Sequence, residues 1–180
     1  ETLRIYNWGD YIDEDLIGEF ESWYKEETGK NITVEYDTFE TNEDMIMRIE
    51  VLKSDYDLVC PSDYMAERMI ENGLAQKVDR SIFDMTEEGF LYDGLAEMVS
   101  PFDPGNEYFV PYVWGTFGIM YDTDYAEPGS DEMKTWSALW SEEHRKKILM
   151  KDSVRDAYSV AQIYSNREKL SDLSDGFTDY

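Results

Sequence analysis

Leu3-Arg-Ile-Tyr6, Asn31-Ile-Thr-Val-Glu-Tyr36 and Asp57-Leu-Val-Cys60 are three short strand-like runs, and a helix-length periodic segment follows each of them. After the first run, Leu16, Ile17, Phe20, Trp23 and Tyr24 recur at three- and four-residue spacing. Asp13 caps that helix, Glu14 and Asp15 suit the positive end of its dipole, and Gly29 ends it. After the second, Thr41 opens a helix with Asp44 in the reciprocal capping position, and Met45, Ile46, Ile49 and Leu52 form its inward face. After the third, a helix carries Tyr64, Met65, Met69 and Ile70 to Gly73. Strand and helix alternate three times. That order predicts an α/β fold with a parallel sheet, the 3–7 strand in the middle, 31–36 and 57–60 on its flanks and helices on both faces.

The rest of the chain is less regular. Residues 76–108 are polar and turn-rich around Pro101-Phe-Asp-Pro-Gly105, and Phe109 to Tyr121 reads as an extended, buried strand. Thr135 to Trp140 suggests a short helix, Lys147 to Met150 a strand and Ser153 to Tyr164 a helix, with residues 166–180 read as a tail. The 180 residues and 42% hydrophobic content suit one sizeable domain or one and a fraction. No run approaches the roughly 20 apolar residues of a membrane span. The chain opens on Glu1-Thr2 without a visible secretory signal, as a cytosolic protein or a mature domain stripped of its leader would.

Forty-one acids against 16 bases give a formal charge of −25. Such a field repels nucleic acid and anionic lipid and attracts cations, although most of the acids fit a solvated face. The single cysteine, Cys60, closes an apolar run and forms no internal disulfide. The one histidine, His144, sits in a charged run, Ser-Glu-Glu-His-Arg-Lys-Lys, which reads as surface. Nucleophile–histidine catalysis and a histidine metal site therefore have nothing to work with, and no phosphate loop appears. Asp122-Thr-Asp124 begins like a calcium loop but lacks its later acid and glycine. No cofactor or metal is expected.

In open parallel sheets, ligands sit beyond the carboxyl ends of the strands. The segments there are Asn7-Trp-Gly-Asp-Tyr11, Pro61-Ser-Asp-Tyr64 and Lys151-Asp-Ser-Val-Arg-Asp156. They gather an indole, phenols, hydroxyls and carboxylates, the materials of a site for organic cations. Trp8 and Tyr11 fit a core as readily as a site, Ser62 or Asp63 fits a helix cap, and Asp156 fits a solvated helix face.

At these same positions the sequence resembles a family. Tyr6-Asn-Trp-Gly-Asp-Tyr11, Asp37-Thr-Phe-Glu-Thr-Asn-Glu43, Tyr56-Asp-Leu-Val-Cys-Pro-Ser62 and Val110-Pro-Tyr-Val-Trp-Gly115 resemble, in order and spacing, the spermidine/putrescine-binding proteins of polyamine ABC transporters. The resemblance runs from residue 3 to about 164. It implies a periplasmic-binding-protein-like (type II) fold of two lobes, a polyamine held in the cleft, no catalysis, and delivery to ABC transporter permease subunits. It places the protein in the periplasm or on the extracellular face of the cytoplasmic membrane, lipid-anchored or fused to a membrane component in some hosts.

Residue by residue, the resemblance makes Trp8 the ring along the methylene chain and Asp10 an amine-binding acid. Tyr11, Ser62 and Tyr64 become aromatic and hydroxyl contacts, and Asp156 becomes an acid of the distal lobe. Gly9 stands where members usually carry a hydroxyl, and Ser153 where some carry a second acid, with Asp152 beside it. Family members are longer. The expectation is therefore a first lobe over 1–117 and a hinge crossover with the start of a second α/β lobe over 118–180, truncated and prone to self-association. The rival readings are a binding protein for a sugar, amino acid or metal, and an acid/base hydrolase using Asp10 and Asp156.

Overall fold

A computed structural model describes residues 1–82, 91–92 and 94–171. The chain divides into two compact units, Glu1–Trp114 and Gly115–Tyr180.

The first unit is organised by strand β1 (Thr2–Trp8), with β2 (Thr33–Phe39) on one side and β3 (Leu58–Val59) on the other. Both pairings are parallel: Thr2 lies opposite Thr33, Trp8 opposite Phe39, and Tyr6 opposite Val59. β3 is short, but the N–H of Asp57 donates to Arg4 O (2.9 Å) and that of Cys60 to Tyr6 O (3.0 Å), so the ladder runs past both its ends. The expected strand order is the observed one.

Helix α1 (Asp15–Thr28) joins β1 to β2, and α2 (Asn42–Glu50) returns from β2 to β3. Successive right-handed crossovers in opposite directions put their helices on opposite faces of a sheet. On the α2 face, Tyr6, Phe39, Met45, Ile46, Met65 and Met69 form the core, the last two from α3 (Asp63–Glu71). Tyr6 stacks on Tyr56 at 4.5 Å and meets the edge of Phe39 at 4.9 Å. The Arg48 guanidinium lies 5.1 Å from the Tyr6 ring and pairs with Asp37 at 2.9 Å. Asp37 also accepts from Tyr56 OH (2.7 Å); burial and this acceptor push the Tyr56 phenol up to about 12.

Local sequence explains the helix ends. Thr41 Oγ1 accepts from the Asp44 N–H (3.1 Å) and donates to the Asp44 carboxylate (2.8 Å), the expected cap with Asp in place of Glu. Gly29 takes φ 70° and its N–H closes on Lys25 O, a left-handed ending that glycine adopts without strain. Asp13 lies one residue outside the observed cap of α1, yet its carboxylate still accepts from the Asp15 N–H (3.1 Å).

Several expectations are corrected. α2 ends at Glu50, so Leu52 falls in the turn beyond it and stands exposed. α1 has no fully buried residue, and Leu16 and Trp23 lie half in solvent. Phe109 to Tyr121 is not a buried strand: it joins no ladder, and Tyr112 to Gly118 are exposed. Lys147 to Met150 is likewise irregular, with Leu149 almost wholly exposed. Apolar residues suit a strand, but a strand needs a neighbour for its N–H and C=O groups, and neither segment has one among the described residues.

The turn at 101–105 also organises more than polarity suggested. Asp103 is buried and its carboxylate accepts from the N–H groups of Tyr108 (2.8 Å) and Phe109 (3.1 Å), while a short helix α4 (Leu95–Val99) precedes it. In the second unit, 3₁₀ turns span Asp131–Lys134, Trp136–Trp140 and Glu142–His144, followed by α5 (Val154–Ser165) and α6 (Arg167–Ser171). α6 occupies part of the expected tail, and residues 172–180 lie outside those described. Trp140 stacks flat on Tyr164 at 3.9 Å. His144 is buried rather than surface, with Nε2 2.9 Å from a Glu132 carboxylate oxygen. The Glu132 carboxylate and the Tyr125 hydroxyl, 3.5 Å from Nδ1, flank the buried ring, which the charged run did not reveal.

Candidate functional site

Because all three strands run parallel, Trp8, Phe39 and Val59 end at the same edge of the sheet. The chain turns there three times, and each turn carries candidate residues. After β1 come Asp10 and Tyr11; after β2, Glu40, Thr41 and Asn42; after β3, Ser62 and Tyr64.

Trp8 is half-buried, its ring 4.6 Å from Phe39 and 6.0 Å from Tyr11. It therefore packs on the core with one face and remains accessible at another. Tyr11 is mostly exposed, and its carbonyl accepts from the Tyr112 hydroxyl. Asp10 is exposed in the turn beyond. Gly9 has space around it: an added Cβ would meet only Glu40 Oε1, at 3.8 Å. The hydroxyl that Gly9 lacks is thus absent by residue choice and not for want of room.

Ser62 occupies the cap position of α3, yet its hydroxyl caps nothing. Asn42 claims it instead. Asn42 Nδ2 donates to Ser62 Oγ (2.9 Å) and to Tyr64 OH (2.9 Å), and Asn42 Oδ1 accepts from the Ser62 N–H (3.0 Å). Asn42 is 5% exposed. The sequence places Asn42 within a quoted motif but does not single it out as a candidate. Its signal was its place, directly after the Thr41 cap at a strand's carboxyl end. Burial pushes the neighbouring Cys60 thiol up to about 11, which keeps it protonated at neutral pH.

Ser153 and Asp156 belong to the second unit, where they meet each other: Ser153 caps α5 by accepting from the Asp156 N–H (3.3 Å). The Asp156 carboxylate pairs with the Lys151 ammonium at 3.1 Å. Among the described residues no group of three or more His, Cys, Asp or Glu side chains could hold a metal ion. No described helix is long and apolar enough to cross a membrane.

What this first-unit edge can do is bind. It offers ring faces, a solvent-facing carboxylate and two oriented hydroxyls. The profile of the bacterial extracellular solute-binding proteins matches residues 7–170, and the chain belongs to that family. More particularly, it is 36% identical over 163 residues to a spermidine/putrescine-binding periplasmic protein of Salmonella typhimurium, covering 89% of this chain and 43% of that one. Its structure is similar to a spermidine/putrescine ABC transporter substrate-binding protein of Streptococcus pneumoniae, with 37% identity and a TM-score of 0.60, over 80% of this chain and 41% of that one. It is also similar to a lipoprotein of Treponema pallidum, at 30% identity and a TM-score of 0.66, over 79% of this chain and 41% of that one. The chain thus spans less than half the length of these relatives.

Proposed function

We propose that this chain carries the amine-binding edge of a polyamine-binding protein that serves ABC-transporter uptake outside the cytoplasmic membrane, and that it catalyses nothing. The observation that carries the reading is the single sheet edge at which Trp8, Asp10, Tyr11, Ser62 and Tyr64 all emerge. A polyamine alternates ammonium groups with methylene chains. Indole and phenol faces attract the one and cover the other, and a carboxylate accepts charge-assisted hydrogen bonds from N–H groups. A neutral sugar uses rings but does not need the acid. Two relatives named for spermidine and putrescine support the same solute class.

In this reading residues 1–117 form the first lobe and 118–180 the crossover and the start of the second, with permease subunits as partners. Asp156 and Ser153 are the second unit's candidates, and a ligand amine reaching Asp156 must replace Lys151. The exposure of Tyr112, Val113 and Trp114 supports self-association of this chain. Calorimetric titration with spermidine, putrescine and a panel of neutral sugars, with sedimentation alongside, tests the proposal. Heat from the amines alone is expected. Saturable sugar binding with silent amines would sink it.

A further inference from the structure

Residues 10–12 carry two of the candidate side chains, Asp10 and Tyr11, on a turn with little of its own to hold it. Among the described residues their backbone makes one hydrogen bond: the Tyr11 carbonyl accepts from the Tyr112 hydroxyl, 101 positions along the chain. Both ends of this tie lie in the first unit. The root of Tyr112 is fixed. The buried Asp103 carboxylate accepts from the N–H groups of Tyr108 and Phe109, and Glu107 O accepts from the Val78 N–H at 2.8 Å. Pro111, whose ring restricts its φ, stands directly before Tyr112. We propose that Tyr112 is the positioning residue of this edge: through the Tyr11 carbonyl it holds the turn that presents Asp10 and Tyr11 to an amine.

The inference rests on the polyamine reading and gives the 110–115 motif a part in it. A turn tied at its middle residue meets a ligand with its backbone already ordered. Without the tie, residues 10–12 regain backbone freedom that binding must remove again, and affinity falls by that cost. The tie reaches the turn through a main-chain atom, so it is independent of which side chain stands at position 11.

The test is spermidine affinity, titrated by calorimetry on the chain as its gene encodes it, for Tyr112→Phe, which keeps the ring and deletes the hydroxyl. Affinity should fall about three- to tenfold, the worth of one neutral hydrogen bond. Amide-nitrogen relaxation of the ligand-free protein should show lower order parameters at residues 10–12. The deciding background combines Asp10→Ala with Tyr11→Ala. It keeps the backbone carbonyl at position 11, and so the tie, but leaves no side chain for the turn to present. There Tyr112→Phe should leave the remaining affinity unchanged. An equal loss in both backgrounds, as direct contact with the ligand or a general role in the fold would give, overturns the inference alone. So does an unchanged affinity, or unchanged order parameters, in Tyr112→Phe by itself. The order parameters keep the inference falsifiable where the double background binds too weakly to titrate. Failure of the unsubstituted chain to bind spermidine overturns the polyamine reading and this inference with it.

Discussion

Between Thr2 and Glu71 both flanking strands pair with β1, β2 after one helix and β3 only after two helices and β2, and the buried side chains of α2 and α3 fill the face so formed. From Gly115 onward the described chain has turns and helices but no strand, and its buried hydrophobic side chains are Ala138 and Val160. Both regions are rich in aromatic and aliphatic residues. What separates them is a central strand with both sides open to later segments. β1 offers a side to each of two later strands, whereas an extended run such as Lys147 to Met150 has no strand beside it among the described residues.

The largest effect that sharpens this contrast is Met45→Ala. Met45 is wholly buried at the centre of the first core, and truncation should destabilise that unit by about 2–5 kcal/mol in denaturant unfolding. A change below 1 kcal/mol would mean the core is loosely packed. Val160→Ala removes less from a smaller cluster and should lower stability by about 1–3 kcal/mol, read by near-ultraviolet dichroism of the Trp140–Tyr164 stack. A cost equal to that of Met45→Ala would erase the difference between the units.

At the edge, the same distinction between anchored and unanchored residues applies. Trp8 is held against Phe39, so Trp8→Ala should weaken spermidine binding through about 0.5–2 kcal/mol of lost cation–π attraction. Asp10 is exposed, so in this chain Asp10→Asn should cost only about 0.2–1 kcal/mol of spermidine binding and lose that effect in high salt. A salt-insensitive loss of several kcal/mol would mean that the acid is desolvated in the complex.

The smallest effect is one of pH. The folded Tyr56 phenol is raised to about 12 from 10.0, so the folded state holds its proton where the unfolded state releases it. Its contribution is complete below pH 10 and is lost as pH rises through 12. Tyr56→Phe should remove the most alkaline part of the tyrosinate absorbance titration. If the unsubstituted and Phe chains titrate alike, Asp37 is not holding that proton.

The legible part of the structure follows the same division. Periodicity marked the three strands and their helices, and the alternation of strand and helix pointed to a parallel sheet, although β3 pairs with β1 across two helices. Phe109 to Tyr121 misled because apolar density registers burial but not the neighbour that a ladder requires. His144 misled because Glu132 lies twelve residues upstream, outside any local pattern. Position beyond strand ends named Trp8, Asp10, Ser62 and Tyr64 as candidates, and the parallel pairing does bring them to one edge of the sheet. Asn42 drew no notice because its three bonds reach residues about twenty positions away, which no spacing rule encodes.

Cys60 closes β3, one proline before Ser62, and its N–H is tied to Tyr6 O. With its thiol raised from 9.0 to about 11, roughly a hundredth of the usual thiolate is present at neutral pH. A thiol-reactive dye should therefore modify it slowly, at a rate set by how often the end of β3 frays. The sole sulfhydryl becomes a clock for breathing at the sheet edge. Its labelling rate should climb in mild urea and slow when an amine ligand occupies the neighbouring hydroxyls.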